Sequence, residues 1–218
     1  MTPPDTLALL HADAALLVLN KPAGLLSVPG RGADKQDCLS ARAQHLYPDA
    51  QVVHRLDMAT SGLMLMARGA DMQRALSLAF AQRQVHKRYI AVVHGHLTGP
   101  TDDWAEINLP ILLDWPRRPL HIIDPSGKPS LTRWQVLAQG QAADGQPWTR
   151  LALEPVTGRS HQLRVHLQAL GHPILGDALY APEAVCAQSP RLLLHACELR
   201  LNHPHSGQPM HWSCPPEF

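Results

Sequence analysis

No stretch of this 218-residue sequence reaches the roughly 20 consecutive apolar residues that a bilayer span requires. The N-terminus, MTPPDTLALLHADAALLVLN, also lacks a basic region followed by an apolar one, so neither a membrane protein nor a secreted precursor is indicated. The expected compartment is the cytoplasm. A charge of one sign is missing as well: 19 Lys and Arg stand against 18 Asp and Glu, a formal net of +1 that excludes a uniformly basic nucleic-acid coat. Cysteine is sparse and scattered. Cys38, Cys186, Cys197 and Cys214 form no CxxC pair, so neither a zinc knuckle nor a disulfide framework is expected. Histidine is plentiful at 14, and His94/His96 and His203/His205 have the spacing to share one face of a strand. Neither pair has an acidic or cysteine partner spaced to complete three or four ligands, so no metal site is expected.

What is present is a globular composition, 45% hydrophobic, with 14 Gly and 20 Pro to supply ordered turns. There is no internal repeat, low-complexity segment or long linker. Apolar runs bounded by Gly or Pro predict strands at residues 15–19, 63–67, 89–94, 131–137, 148–153 and 192–201. Leu39, Ala43 and Leu46 predict a helix that opens after Asp37 and is stopped by Pro48, and Met72, Ala75, Leu76, Ala79 and Phe80 predict another over residues 71–83. A third helix is expected to be capped by Ser160, to bury Leu163, Leu167 and Leu170, and to end at Gly171 in the left-handed region. Strands outnumber helices. The expected class is therefore α+β, a single domain around a mixed, mainly antiparallel β-sheet flanked by helices. Charge is uneven along it: residues 68–88 and 117–164 each carry a net +4, while residues 102–114 hold four acids and no base. The 15 Arg to 4 Lys suit bidentate phosphate or carboxylate contacts.

Chemistry concentrates in two places. In His54-Arg55-Leu56-Asp57-Met58-Ala59-Thr60-Ser61-Gly62, an acid sits in a polar loop directly before an apolar strand. By residue type alone Asp57 fits a turn aspartate that caps its own backbone as well as it fits a catalytic one. A two-carboxylate hydrolase is disfavoured, because the motif holds no second acid. The other cluster, Thr157 to His166, is a glycine turn opening into the third helix, with Arg159, Ser160, His161 and Gln162 crowding donors at a helix start, where anions are attracted. Arg164 lies three residues after His161, on a neighbouring face from which it can hold a carboxylate.

As a set, HRLDMATSG at 54–62, GRSHQLRVH at 158–166 and GHPILGD at 171–177 resemble the signatures of the RluA-type pseudouridine synthases, in the family's order. KPAG at 21–24, KRY at 87–89 and LLHA at 193–196 extend the resemblance from about residue 15 to the C-terminus. It implies an N-terminal extension over 1–14 and a catalytic domain of the pseudouridine synthase fold over 15–218. The S4-type RNA-binding domain that many members carry is not expected. Within the family, Met-Ala after the aspartate, SVPGR at 27–31 and DWPRRP at 114–119 point to the branch acting on both large-subunit rRNA and tRNA.

The resemblance implies isomerisation of uridine within RNA: the carbon–nitrogen glycosidic bond breaks, the uracil turns, and a carbon–carbon bond forms through C5. Nothing is added or removed, so no cofactor is implied. Asp57 is then the catalytic aspartate. Whether it adds covalently to sugar or base or abstracts a ribose proton stays open, and each route needs it ionised beside a cation. Arg164 matches the family arginine that pairs with it. Tyr89 matches the tyrosine that stacks on the uracil, and its phenol can help remove the C5 proton. Arg55 is the expected occupant of the gap left by the extruded base, and Leu194 an apolar wall of the uracil pocket. The implied partners are rRNA and tRNA stem-loops, read through hairpin shape and splayed loop bases, with no membrane and no obligate protein partner. Two other classes are an RNA-binding module that has lost activity, whose signature would be a change at Asp57, Tyr89 or Arg164, and a glycosylase that frees uracil. All three residues are present.

Overall fold

Two continuous apolar runs organise the first part of the chain. Leu16 to Leu19 and Leu63 to Ala67 are each wholly buried, which is how strands covered on both faces read. The computed structural model describes residues 7–218. In chain order the elements are β1 (Leu9–Ala12), β2 (Leu16–Lys21), α1 (Leu39–Leu46), β3 (Ala50–Val52), β4 (Ser61–Arg68), α2 (Gly69–Ala81), β5 (His86–His94), β6 (Ala105–Asn108), β7 (Ile111–Leu113) and β8 (His121–Ile123). They continue with β9 (Leu131–Gln141), β10 (Pro147–Pro155), α3 (Gln162–Ala169), α4 (Glu183–Cys186), β11 (Leu194–Asn202) and β12 (Pro209–Ser213). Strands dominate, in the α+β class that the sequence predicts. The chain divides into two compact units, Met1–Lys87 with His195–Glu217, and Arg88–Leu194 with Phe218. No described helix is long and apolar enough to cross a membrane.

In the first unit β2 lies antiparallel to β4, from Leu16 opposite Ala67 to Lys21 opposite Gly62, and β1 and β3 add antiparallel pairs. β11 runs parallel to β4 at His195 opposite Ser61, with β12 antiparallel beyond it. That parallel step makes the sheet mixed. Gly62 sits there at φ +110, and a Cβ would come within 2.3 Å of the Ala196 carbonyl oxygen, so only glycine fits. α2 contributes Leu76 to the buried cluster that also holds Leu63, Leu65 and Leu199. The stretch expected as an N-terminal extension contributes β1; residues 1–6 lie outside the described residues.

The second unit is an antiparallel succession of β5, β10, β9 and β6, with β7 and β8 as a separate hairpin. α3 packs on β8, β9 and β10, and its N-terminus departs from expectation. Ser160 does not cap it: the helix starts after His161, which is left-handed at φ 55 and makes no side-chain cap. Gln162, the first helical residue, instead ties the helix to the turn before it: its N–H bonds the Arg159 carbonyl at 3.2 Å, and its Oε1 accepts the Arg159 N–H at 3.0 Å and the Thr157 hydroxyl at 2.7 Å. Every residue from Gln162 to Leu167 is buried, Arg164 included. The C-terminus behaves as predicted: at Gly171, φ +81, the Gly171 and His172 N–H groups bond the Gln168 and Leu167 carbonyls in a Schellman turn. Neither histidine pair shares a strand face, because His94 ends β5 before Gly95, and His203 and His205 lie in the turn after β11.

Candidate active site

The β3–β4 loop of the first unit carries Arg55 and Asp57, and both chain neighbours of Asp57 are tied down. Leu56, immediately before it, is clamped by one buried side chain: Ser27 Oγ accepts the Leu56 N–H at 3.0 Å and donates to the Leu56 carbonyl at 2.6 Å. Met58, immediately after, offers its carbonyl to the Gly24 N–H at 2.9 Å and to Lys21 Nζ at 3.0 Å. Lys21 is wholly buried, and its ammonium also donates to the Pro22 and Leu25 carbonyls, so the desolvated charge is met by three backbone dipoles. The short segment 21–27 thus grips the loop on both sides of the aspartate. Asp57 itself is half-buried and Arg55 exposed.

His54 anchors the other end of the loop. Its Nε2 accepts the Leu65 N–H of β4 at 2.8 Å, and its ring stacks on Phe80 with centroids 4.6 Å apart. Burial, and after it the nearby Lys87 charge, lower its pKa to about 3, so the ring stays neutral and can accept. Behind the loop Ser61 and His195 form a buried pair across β4 and β11. The Ser61 hydroxyl meets His195 Nδ1 at 2.8 Å, and His195 Nε2 meets the Cys214 carbonyl at 2.9 Å. In the neutral ring Nε2–H must therefore donate, which leaves Nδ1 to accept.

In the second unit Arg164 is fixed in a buried ion pair. Its Nε donates to Asp177 Oδ2 at 2.8 Å and its Nη2 to Asp177 Oδ1 at 2.6 Å, with the side chains 4% and 0% exposed. The Tyr180 ring lies 5.0 Å from the guanidinium carbon, and Tyr180 Oη meets His161 Nδ1 at 2.6 Å and accepts the His121 N–H at 3.0 Å. A polar chain supports the helix from beneath. Gln162 Nε2 donates to Thr132 Oγ1 at 3.0 Å, Thr132 Oγ1 meets His166 Nδ1 at 2.9 Å, and His166 Nε2 meets the Leu109 carbonyl at 3.0 Å. Burial lowers the His166 pKa, consistent with a neutral ring in this chain. Tyr89, opposite Leu153 on β5, is buried, as is Leu194 at the end of this unit.

Of the residues singled out from sequence, Arg55 and Asp57 share one loop of the first unit, while Tyr89, Arg164 and Leu194 belong to the second. Lys21, Ser27, Asp177 and Tyr180 were given no role by sequence reasoning. The first three lay in plain sight in KPAG, SVPGR and GHPILGD, where the only signal was a polar residue inside an otherwise apolar or turn-forming stretch.

Comparison with known proteins gives this geometry its setting. Residues 15–169 match the family model described as RNA pseudouridylate synthase. The chain is 51% identical over 201 residues to the dual-specificity RNA pseudouridine synthase RluA of Vibrio parahaemolyticus, covering 92% of this chain and 78% of that protein. It is 46% identical over 213 residues to the protein of the same name from Escherichia coli (strain K12), covering 97% and 94% respectively. Among solved structures, human RNA pseudouridylate synthase domain containing 1 superposes with a TM-score of 0.82 at 31% identity, over 100% of this chain and 87% of that one. With a family model spanning most of the sequence and relatives of this identity along nearly its whole length, the chain belongs to the RNA pseudouridylate synthase family, as an RluA-type enzyme that isomerises uridine to pseudouridine.

Proposed function

We propose that this enzyme isomerises specific uridines in hairpin loops of large-subunit rRNA and in tRNA anticodon arms, in the cytoplasm. The observation that carries the reading is the likeness, over nearly the whole chain, to relatives named dual-specificity RNA pseudouridine synthases. Asp57 adds to the sugar or the base, or abstracts a ribose proton, as the bond from C1′ to N1 opens; the uracil turns, C5 bonds to C1′ as Asp57 is released or the ribose proton is returned, and the C5 proton is lost while N1 takes one up. Arg164 is the cation that keeps the Asp57 carboxylate ionised, Tyr89 stacks on the uracil and takes part in the late proton loss, Arg55 fills the vacated stack, and Leu194 walls the base. The burial of Tyr89 and Leu194 and the exposure of Arg55 support these roles, since a base pocket is apolar while a gap-filling side chain must be able to reach outward.

A surface suited to RNA supports the substrate class. The turn between β7 and β8 presents Trp115, 65% exposed, with the Arg118 guanidinium carbon 4.0 Å from its ring centroid. An aromatic face backed by a guanidinium is a stacking platform for an unpaired base. The test offers isolated anticodon-arm and rRNA hairpins beside assembled ribosomal subunits and maps pseudouridine by chemical labelling. Modification of both free hairpins is expected. Reaction on assembled subunits alone would overturn this reading and point to another branch of the family, and binding without product would make it an RNA-binding module.

A further inference from the structure

Arg164 has a part in the proposed chemistry, whereas its buried partner Asp177 has none. On the reading of Arg164 as the cation that serves Asp57, we infer that Asp177 is a positioning residue of the isomerisation, which sets the plane and the direction of the Arg164 guanidinium. Three observations lead there. The pair is bidentate at 2.8 and 2.6 Å, so the Nε–Nη2 edge is committed to Asp177 and the plane of the guanidinium is fixed with it. Asp177 is itself held, because its Oδ1 accepts the Leu179 and Tyr180 N–H groups at 3.0 and 3.2 Å. The turn that aims it admits no other backbone: Gly176 lies at φ +73, and a Cβ there would come within 1.9 Å of the Arg191 carbonyl oxygen.

Tyr180 completes the device. Its ring lies beside the guanidinium, and its hydroxyl is fixed between His161 and the His121 N–H, so the aromatic surface that limits Arg164 is immobilised by two further elements. An arginine on a long flexible stem supplies charge anywhere, but it supplies charge in a defined direction only when its torsions are set before the substrate arrives. Asp177 does this from beneath the helix and never needs to meet the uridine. It acts through Arg164 alone.

A double-mutant cycle of the full-length enzyme on a hairpin substrate tests this, using Asp177→Asn, Arg164→Met and the double variant. A misplacement of about 1 Å in a catalytic group can cost on the order of a hundredfold, and Asp177→Asn is expected to lower kcat by about ten- to a hundredfold with KM little changed. The double variant is expected to be no slower than Arg164→Met, because once the guanidinium is gone there is nothing left to orient. Either single variant strands a buried charge, so Asp177→Glu, which keeps the charge but shifts its direction, stands in should Asp177→Asn fail to fold, with the same fall in kcat expected; the double variant, which holds neither charge, is compared with Arg164→Met. Equal rates support the proposal. A double variant slower than Arg164→Met by a further factor, or an Asp177→Asn effect confined to KM, overturns it while leaving the role of Arg164 intact. Wild-type kcat in Arg164→Met overturns both, and so identifies the underlying reading as the failure.

Discussion

Asp57 owes its place to residues far from it in sequence. Ser27 lies 29 positions before Leu56 and Lys21 lies 37 before Met58, and both act on backbone groups. That is why the site was legible in part. Asp57, Arg55, Tyr89, Arg164 and Leu194 stand in motifs that identify the family, whereas a hydroxyl bonded to a distant peptide leaves no spacing to read. Ser27→Ala should leave a buried N–H and carbonyl unmatched, costing about 1–3 kcal/mol in stability by urea unfolding, and should lower kcat more than RNA affinity. Tyr89→Phe keeps the ring and removes the phenol, so RNA binding should persist while product formation falls strongly; full activity would leave stacking as its only role. His54 gives a pH signature. Because its folded pKa is lowered from 6.5 to about 3, the unfolded chain takes up a proton that the folded one refuses. Stability from this site is therefore complete above pH 6.5 and lost as pH falls toward 3. The urea midpoint should begin to drop below pH 6.5, and less so in His54→Gln, whose amide can still accept the Leu65 N–H.

Elements were readable where burial imposed its own pattern. The strands over β2, β4, β5, β9, β10 and β11 carry continuous or alternating apolar residues and were all expected. β1, β3, β6, β7, β8 and β12 run only three to five residues and are mostly half-buried or exposed, so pairing with a neighbour and not their own composition makes them strands. The α3 cap was misread for a related reason. Ser160 has the right residue type, but the turn before the helix is organised by Gln162, buried and reaching back to Thr157 and Arg159, and no side chain caps the first turn. The contact of β4 with β11 is demanding at this scale. Gly62→Ala combines a positive φ with a backbone clash and should destabilise by more than about 1 kcal/mol, lowering the melting temperature. A melting temperature equal to wild type would mean that the two strands separate there at little cost.

The molecule as a whole is nearly neutral, and its basic segments are more neutral than their counts suggest. Arg74, Arg88, Arg117, Arg133 and Arg164 all pair with carboxylates, of Asp71, Glu154, Asp114, Glu154 and Asp177. Attraction to RNA should therefore be short-ranged and confined to a few contacts. For about four to six phosphates, each contributing a slope near −0.7 on single strands, log affinity should fall against log salt with a slope of roughly −3 to −4. A much steeper slope in a filter-binding titration would require a basic surface that these pairs do not leave.

One aspartate, gripped on both sides by segment 21–27, is proposed to perform the isomerisation, and chemical mapping of pseudouridine in a hairpin substrate treated with wild type and with Asp57→Asn tests this most directly. The asparagine is isosteric but can serve neither as nucleophile nor as base. The expected result is unchanged folding and RNA binding with no pseudouridine formed. Product accumulating at close to the wild-type rate would contradict the assignment of Asp57.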